Sequence, residues 1–548
     1  MKLVTVAEMR AIEQEADAQG ITYEQMMENA GREVARVVLS NFGEGGRQSV
    51  IGLVGSGNNG GDTMVALTEL ARSGWQARSY VVRPRPEGDP LMQRLIQAGG
   101  EVVDIEQDKG LKKLDAWLKS SNVLLDGVLG TGVQLPLKPE LARLLGHVKN
   151  FRPLPFVVAV DCSSGMDCDS GEVAVETIPA NITVCMAAVK TGMLRFPAFE
   201  HLGRLEVADI GLSDSLKGWK EINLEVVTGN RVKGLLPKRP RDAHKGTFGT
   251  AMVIAGSVNY TGAAYLAAKA AYRVGAGLVR VALPGPLHVV LAGQLPEATW
   301  LLLPHELGVI ARDGCELILE NLERVTALLL GPGWGLEETT REFLSNLLTL
   351  AGSHPARSAI GFVSKAREEK KQRGKKERLP PLVIDADGLK LLSRIPDWDK
   401  LLPEGSVLTP HPGEMSVLTG METPEVQKER LNLARKYAEQ WKQVIVLKGA
   451  LSVVAAPDGR AAVIPVATPA LARAGTGDVL SGMVVGLLAQ GVPAYEAALA
   501  GAWLHAQAGL VASDRVGHPA SVLAGDVLEA IADVLQLLES KPDIKPSS

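Results

Sequence analysis

The stretch Leu471-Ala-Arg-Ala-Gly-Thr-Gly-Asp-Val-Leu-Ser-Gly482 sets two glycines, a threonine and an aspartate directly before an apolar run from Val479 to Leu488. If that run is a helix, the backbone N–H groups of Gly475, Thr476 and Gly477 lie at its N-terminus, where unpaired amides and the helix dipole together favour an anion. Glycine is needed where a side chain would block a phosphate. Asp478, in the first turn, can take a proton from a hydroxyl that meets the anion there, which is what phosphoryl transfer to an alcohol requires.

A second polar set occupies the first half of the chain. Gly55-Ser-Gly-Asn-Asn-Gly-Gly-Asp62 follows the strand-like run Val50 to Val54 and precedes a helix expected from Thr63 to Arg72, a strand–loop–helix arrangement that suits phosphates; with no Gly-Lys-Ser/Thr it is not a P-loop. Asp126 follows the run Val123 to Leu125, and Asp161 follows Phe156 to Val160. In a parallel sheet these ends share one edge, so the 55–62 loop, Asp126 with Gly130-Thr-Gly132, and Asp161 with Ser163-Ser-Gly165 should line one crevice. Oxygen donors without His or Cys suit a hard cation or a ribose better than zinc.

The elements that position these groups read as α/β throughout. Residues 5 to 39 have helical spacing with a break near Gly20, and strand-like and helical runs then alternate, as in a doubly wound, largely parallel sheet. In the second half, strand-like runs end in Gly331-Pro-Gly-Trp-Gly335, Asp385-Ala-Asp387, Thr409-Pro-His-Pro-Gly-Glu414 and Lys448-Gly449, groups that fall beside Gly475–Asp478 if the strands are parallel.

A length of 548 residues predicts two or more domains, and 46% hydrophobic with 22% charged residues is ordinary for a soluble chain. The net charge of −4 gives no electrostatic case for nucleic acid or an anionic membrane as the main partner. Cys162, Cys168, Cys185 and Cys315 lack metal or redox spacing and read as reduced core thiols in a cytoplasmic protein. The segment between Gly211 and Arg241 loses its period and collects basic residues, which predicts a domain of 1–215, a linker of 216–234 and a domain of 235–540, with a tail of 541–548. A basic insertion, about 353–381 and including Lys365 to Arg378, reads as a solvated face.

The first half resembles the YjeF N-terminal family of NAD(P)H-hydrate epimerases, on Met26-Met-Glu-Asn-Ala-Gly31, Gly55 to Asp62, Leu125-Asp-Gly-Val-Leu-Gly-Thr-Gly132 and Val160-Asp-Cys-Ser-Ser-Gly165. The resemblance implies that Asn58, Asn59, Gly60, Gly61 and Asp62, with Gly130, Thr131, Gly132, Val133, Gln134, Leu135 and Pro136, hold the hydrated dinucleotide. It implies potassium on Asn59, Asp126 and Ser164, and a catalytic Asp161 at the hydroxylated carbon. Lys190 stands where the family often has lysine, without an assigned role; Thr63 and Ser163 depart from the usual glycine and proline.

The second half is similar to the ribokinase-like superfamily and more closely to its ADP/ATP-dependent NAD(P)H-hydrate dehydratases, on Asp242-Ala-His-Lys-Gly246, Ala255-Gly-Ser257, Tyr260-Thr-Gly-Ala-Ala264, Gly275-Ala-Gly-Leu-Val279, Thr409 to Glu414 and Ala474 to Gly482. The implied roles are hydrate binding by Ala263, Gly333, His411 and Asp478, and adenine-nucleotide binding by Lys448, Gly449, Ala450, Leu451, Ser452, Gly475, Thr476 and Gly477. The implied function is repair of NADHX and NADPHX: epimerisation of the R and S hydrates, then dehydration of the S form with ADP and Mg2+. The domain order matches fused bacterial repair enzymes, and a homo-oligomer is expected. The Gly-Thr-Gly-Asp loop taken alone leaves a small-molecule (vitamin) kinase with a dinucleotide-binding module as the alternative.

Overall fold

The computed structural model describes residues 1–43, 48–353 and 379–540, so the basic run Lys365 to Arg378 and the tail 541–548 lie outside the described residues. The chain divides into two compact units, the first Met1–Val226 and the second starting at Val227. Each is a doubly wound α/β layer structure, as the strand and helix alternation predicts.

The first unit carries seven parallel strands in the order Glu101–Asp104, Gln76–Val81, Ser49–Val54, Val123–Gly127, Phe156–Val160, Ile182–Met186 and Arg204–Ala208. Alternation along Ser49–Val54 sends Val50 and Val54 to the core under helices Val6–Ala18, Tyr23–Phe42 and Asn58–Arg72. Ile51 and Leu53 go to the opposite core with Leu114, Trp117 and Leu144. The break near Gly20 separates two helices, each opened by a reciprocal cap: Thr5 with Glu8, and Thr22 with Gln25.

In the second unit the strands run Ala461–Val463, Val453–Ala455, Val444–Leu447, Val407–Leu408, Leu382–Ile384, Ala327–Leu330, Thr250–Ile254, Leu278–Pro284 and Thr299–Leu303. Those from Val444–Leu447 onward are parallel, and Val453–Ala455 is antiparallel to both of its neighbours. Helix Thr476–Ala489 is buried from Val479 to Ala489 and crosses helix Thr261–Arg273 at backbone distance. A Cβ on Gly482 would stand 2.2 Å from the Ala267 carbonyl oxygen, and one on Gly486 2.8 Å from the Ala271 Cα. No helix among the described residues is long and apolar enough to cross a membrane.

Several boundaries differ from the sequence expectation. The helix expected from Thr63 begins at Asn58, so Asn58–Asp62 are its first turns instead of a loop. Asp126 lies within its strand instead of beyond it. The stretch expected as a linker holds helix Lys217–Glu221, strand Leu224–Val226 and helix Gly229–Lys233, because Leu216 belongs to the core of the first unit and Val227 and Val232 to that of the second.

Candidate functional sites

In the first unit, Ser49–Val54 sits between strands that leave it in opposite directions, the switch point at which doubly wound sheets open a crevice. A cavity of about 610 Å3 lies there, lined by Asn58, Asn59, Asp62, Gly130, Thr131, Gly132 and Asp161 among the expected residues. Gly60, Gly61 and Val133 to Pro136 are outside its lining. Both glycines are closely packed: a Cβ on Gly60 would meet the Gly55 carbonyl oxygen at 2.1 Å and one on Gly61 the Met27 sulfur at 2.5 Å.

Beside the cavity the Ser164 backbone N–H donates to Asp126 Oδ2 at 2.8 Å and its hydroxyl to Asp126 Oδ1 at 2.5 Å, while Leu129 N donates to Ser164 Oγ at 2.9 Å. Burial raises the Asp126 carboxyl, against which the Ser164 hydrogen bonds pull it down. Asn59 donates from Nδ2 to the Leu129 carbonyl at 2.9 Å, and its Oδ1 is buried without a hydrogen-bond partner. An orphaned amide oxygen beside a wholly buried carboxylate and a hydroxyl is a donor set that fits a hard cation. Thr63, unusual by the family pattern, donates to the Asn59 carbonyl at 2.8 Å and so braces this turn.

Asp161 has a left-handed backbone, φ 63°, directly after its strand. Its Oδ1 accepts from Met186 N at 3.0 Å and from Lys190 Nζ, which also donates to the Met186 carbonyl at 3.2 Å. Lys190 is fully buried; burial pulls its ammonium down, but Asp161 and other neighbours more than offset this. Sequence reasoning missed this pairing, as it missed Arg10, Glu13, Gln14 and Tyr23, cavity residues on helices that read only as core formers.

In the second unit the parallel strands bring their terminal groups together. Lys448 Nζ lies 2.7 Å from Asp385 Oδ1 and 3.6 Å from Glu414 Oε2. A Cβ on Gly477 would be 3.4 Å from that amine and 3.9 Å from Asp385 Oδ2, so the glycine loop reaches the same cluster. Burial is the largest influence on Lys448 and lowers it, yet Asp385 and Glu414 leave it raised. Asp478 is pushed up to about 7, first by burial and then by the charge of Asp385, with Lys448 opposing. Asp385, wholly buried with Oδ2 unpartnered, was only a strand-end group in the sequence.

The anion loop is shifted from expectation. Thr476 N donates back to the Arg473 carbonyl at 3.4 Å, and its hydroxyl to the Leu471 and Arg473 carbonyls, both at 2.9 Å. Helix Thr476–Ala489 therefore offers the first-turn amides of Gly477 and Asp478, which precede its first intrahelical bond from Val479 N to the Gly475 carbonyl. Gly475, φ 88°, makes the turn and is held between Leu266 and Ala524.

His411 caps helix Pro412–Thr419: Nδ1 accepts from Gly413 N and Glu414 N at 3.0 and 3.2 Å, and Nε2 lies 3.3 Å from Glu414 Oε1. Burial lowers its pKa, and because Nδ1 accepts two backbone N–H groups the ring's proton belongs on Nε2. A cavity of about 470 Å3 is lined by His411, Lys448, Gly449, Ala450, Ser452, Thr476 and Gly477 together with apolar Ile464, Val466 and Leu480. Leu451, Gly475, Ala263, Gly333 and Asp478 do not line it. Ala263 and Gly333 adjoin each other by the switch point: a Cβ on Gly333 would stand 2.7 Å from that of Ala263. Arg430, unnoticed in the sequence, donates to the Ala450 and Leu447 carbonyls at 2.6 and 2.9 Å and holds the 448–452 turn.

Residues 23–192 match the family model for the YjeF-related protein N-terminus, and residues 251–356 and 359–533 that for NAD(P)H-hydrate dehydratase. The chain is 34% identical over 551 residues to the bifunctional NAD(P)H-hydrate repair enzyme Nnr of Moorella thermoacetica, covering 99% of this chain and 98% of that protein. It is 30% identical to the enzyme of the same name from Escherichia coli, covering 95% and 91%. Among solved structures it is similar to the Bacillus subtilis ADP/ATP-dependent NAD(P)H-hydrate dehydratase co-crystallised with ATP/Mg2+, at 30% identity over 58% of this chain and 99% of that one, with a TM-score of 0.47. The chain therefore belongs to the bifunctional NAD(P)H-hydrate repair enzymes, with a YjeF-type N-terminal unit followed by an NAD(P)H-hydrate dehydratase unit.

Proposed function

We propose that the first unit interconverts the R and S hydrates of NADH and NADPH, and that the second dehydrates the S form with ADP to give NAD(P)H, AMP and phosphate. The observation that carries the second half is Asp478: a carboxyl poised at about 7, in the first turn of a helix whose free amides face a cluster of Lys448 and Asp385. A group balanced there serves as a general base at neutral pH. It takes the proton of the hydrate's hydroxyl as that oxygen attacks the terminal phosphoryl group of ADP. AMP departs with the electrons of the broken P–O bond, and the amides at 477 and 478 meet the charge that develops. The new phosphate ester is a better leaving group than hydroxide. Its departure and loss of a proton from the adjacent carbon restore the ring double bond.

Ala263, Gly333 and His411 would hold the hydrate, and Lys448 to Ser452 with Gly475 to Gly477 the nucleotide. Magnesium bound with the nucleotide would neutralise part of its phosphate charge. In the first unit Asn58 to Asp62 and Gly130 to Pro136 would bind the dinucleotide, with Asp161 at the hydroxylated carbon. Asn59, Asp126 and Ser164 would hold potassium, a fixed positive charge beside the dinucleotide; the orphaned Asn59 Oδ1 supports this. The same reading makes the protein a cytoplasmic homo-oligomer acting on small molecules. Family membership favours it over a vitamin kinase.

The test is a mixed R and S NADH hydrate given to the protein with ADP and then ATP, followed by reduced-nicotinamide absorbance. Full recovery is expected, faster with the true donor. Recovery that stops once the S form is consumed removes the epimerase half, and no recovery with either nucleotide removes the whole reading.

A further inference from the structure

We propose that Glu13 is a second acid–base residue of the epimerase site, working with Asp161 from a different element of the same cavity. The inference rests on the epimerase reading above and deepens it. Helix Val6–Ala18 buries Met9, Ile12 and Ala16, and the border of that stripe turns Arg10, Glu13 and Gln14 into the cavity. These positions, spaced three and four apart, share one helical face. Asp161 enters from the end of strand Phe156–Val160, with Met186 N and Lys190 Nζ on its Oδ1.

The charged and titratable groups that bear on Glu13 are Arg10 on its own helix, Tyr23 on the next helix, Asp62 on helix Asn58–Arg72, and Asp161 with Lys190 from the sheet. Burial pushes the Glu13 carboxyl up, Lys190 pulls it down, Asp161 pushes it up and Arg10 pulls it down, with a net rise. Glu13 is thus shifted toward its proton-bearing form, while Asp161 Oδ1 accepts from an ammonium and an amide.

That division matches the chemistry. The two hydrates differ only in the face that carries the hydroxyl, and the carbon that carries it is bonded to the ring nitrogen. Protonated Glu13 gives its proton to the hydroxyl. The C–O bond breaks with its electron pair leaving on water, and the nitrogen lone pair forms C=N+. Water then adds from the other face, a new C–O bond forms, its proton passes to Asp161 and the electron pair returns to nitrogen. Nothing is oxidised or reduced. One proton has moved from Glu13 to Asp161, which leaves the pair set for the reverse conversion.

The experiment uses the full chain with Glu13→Gln, Glu13→Asp and Asp62→Asn. It measures R-to-S conversion against pH, R-hydrate binding by calorimetry, and ADP-dependent dehydration of pure S hydrate. Glu13→Gln should lower the epimerisation kcat by about 10²–10⁴-fold, change KM and R-hydrate affinity less than about threefold, leave dehydration intact, and turn a bell-shaped pH profile into a single limb. Glu13→Asp should recover part of the rate with both limbs. Epimerisation by Glu13→Gln within about threefold of wild type, or loss of a limb in Asp62→Asn instead, overturns the proposal. If Glu13→Gln does not fold, the wild-type profile and Glu13→Asp decide: one limb in wild type overturns it, and two limbs with a slowed Glu13→Asp support it. A wild-type protein that dehydrates S hydrate but never epimerises would instead overturn the underlying reading.

Discussion

Replacing Asp478 with asparagine should slow dehydration severely and make the protein more stable, with a gain that depends on pH. Burial, and then the charge of Asp385, raises the Asp478 carboxyl from its usual 3.8 to about 7. At about 1.4 kcal/mol per pKa unit, that rise corresponds to roughly 4 kcal/mol. The folded state binds this proton more tightly than the unfolded chain. The favourable contribution is therefore full below about pH 4, falls as the pH climbs through 7, and is gone above about pH 8. The asparagine variant carries no charge there, so its advantage over wild type should be near zero at low pH and approach roughly 4 kcal/mol at high pH. At about 2–4 °C per kcal/mol, melts at pH 8.5 should separate the two proteins by on the order of 10 °C, and melts near pH 4 hardly at all. Dehydration of S hydrate should fall by about 10²–10⁴-fold above pH 7, and by progressively less below it, where the wild-type base is itself protonated. An advantage that is absent at pH 8.5, or equal at both pH values, would refute burial and Asp385 as the source of the raised carboxyl.

Lys448→Met should cost about 3–5 kcal/mol in chemical denaturation of the second unit, because Asp385 and Glu414 would keep buried charge without their cation; adding Asp385→Asn should return part of it. Asn59→Leu removes the unpartnered Oδ1, and epimerisation, measured in potassium against sodium buffers, should lose its cation dependence along with about tenfold or more of its rate. Arg430→Ala frees the Leu447 and Ala450 carbonyls; the nucleotide KM should rise about tenfold while hydrate KM stays put, since the loosened turn is the one expected to hold the nucleotide.

The layer structure of both units was legible because buried parallel strands, such as Ala327–Leu330, are uninterrupted apolar runs that end in polar or glycine-rich groups. Such ends mark the edge where ligands collect. The position of the first helix turn was not legible: Asn58 to Asp62 look like loop by composition, yet Gly60 and Gly61 pack too closely against Gly55 and Met27 for any side chain, and the glycines sit inside a helix. The partners of Asp161 and Lys448 were hidden for a different reason. Lys190 meets Asp161 from 29 residues away and Asp385 meets Lys448 from 63, through adjacent or nearby strands whose order no local pattern states. Glu13 gave only the weak signal of an acidic residue beside the buried stripe of a helix.

The contact of Gly482 and Gly486 with Ala267 and Ala271 works as a caliper. Its two arms are the helix that carries Asp478, four residues before Gly482, and the helix that carries Ala263, four residues before Ala267. Four residues span about 6 Å of helix, so Asp478 and Ala263 each stand one turn beyond the same contact. Adding one methyl group at Gly482 would spread the arms. The expected result is a drop in dehydration kcat larger than the 1–3 kcal/mol of lost stability would suggest, in a protein that still folds and still binds its nucleotide.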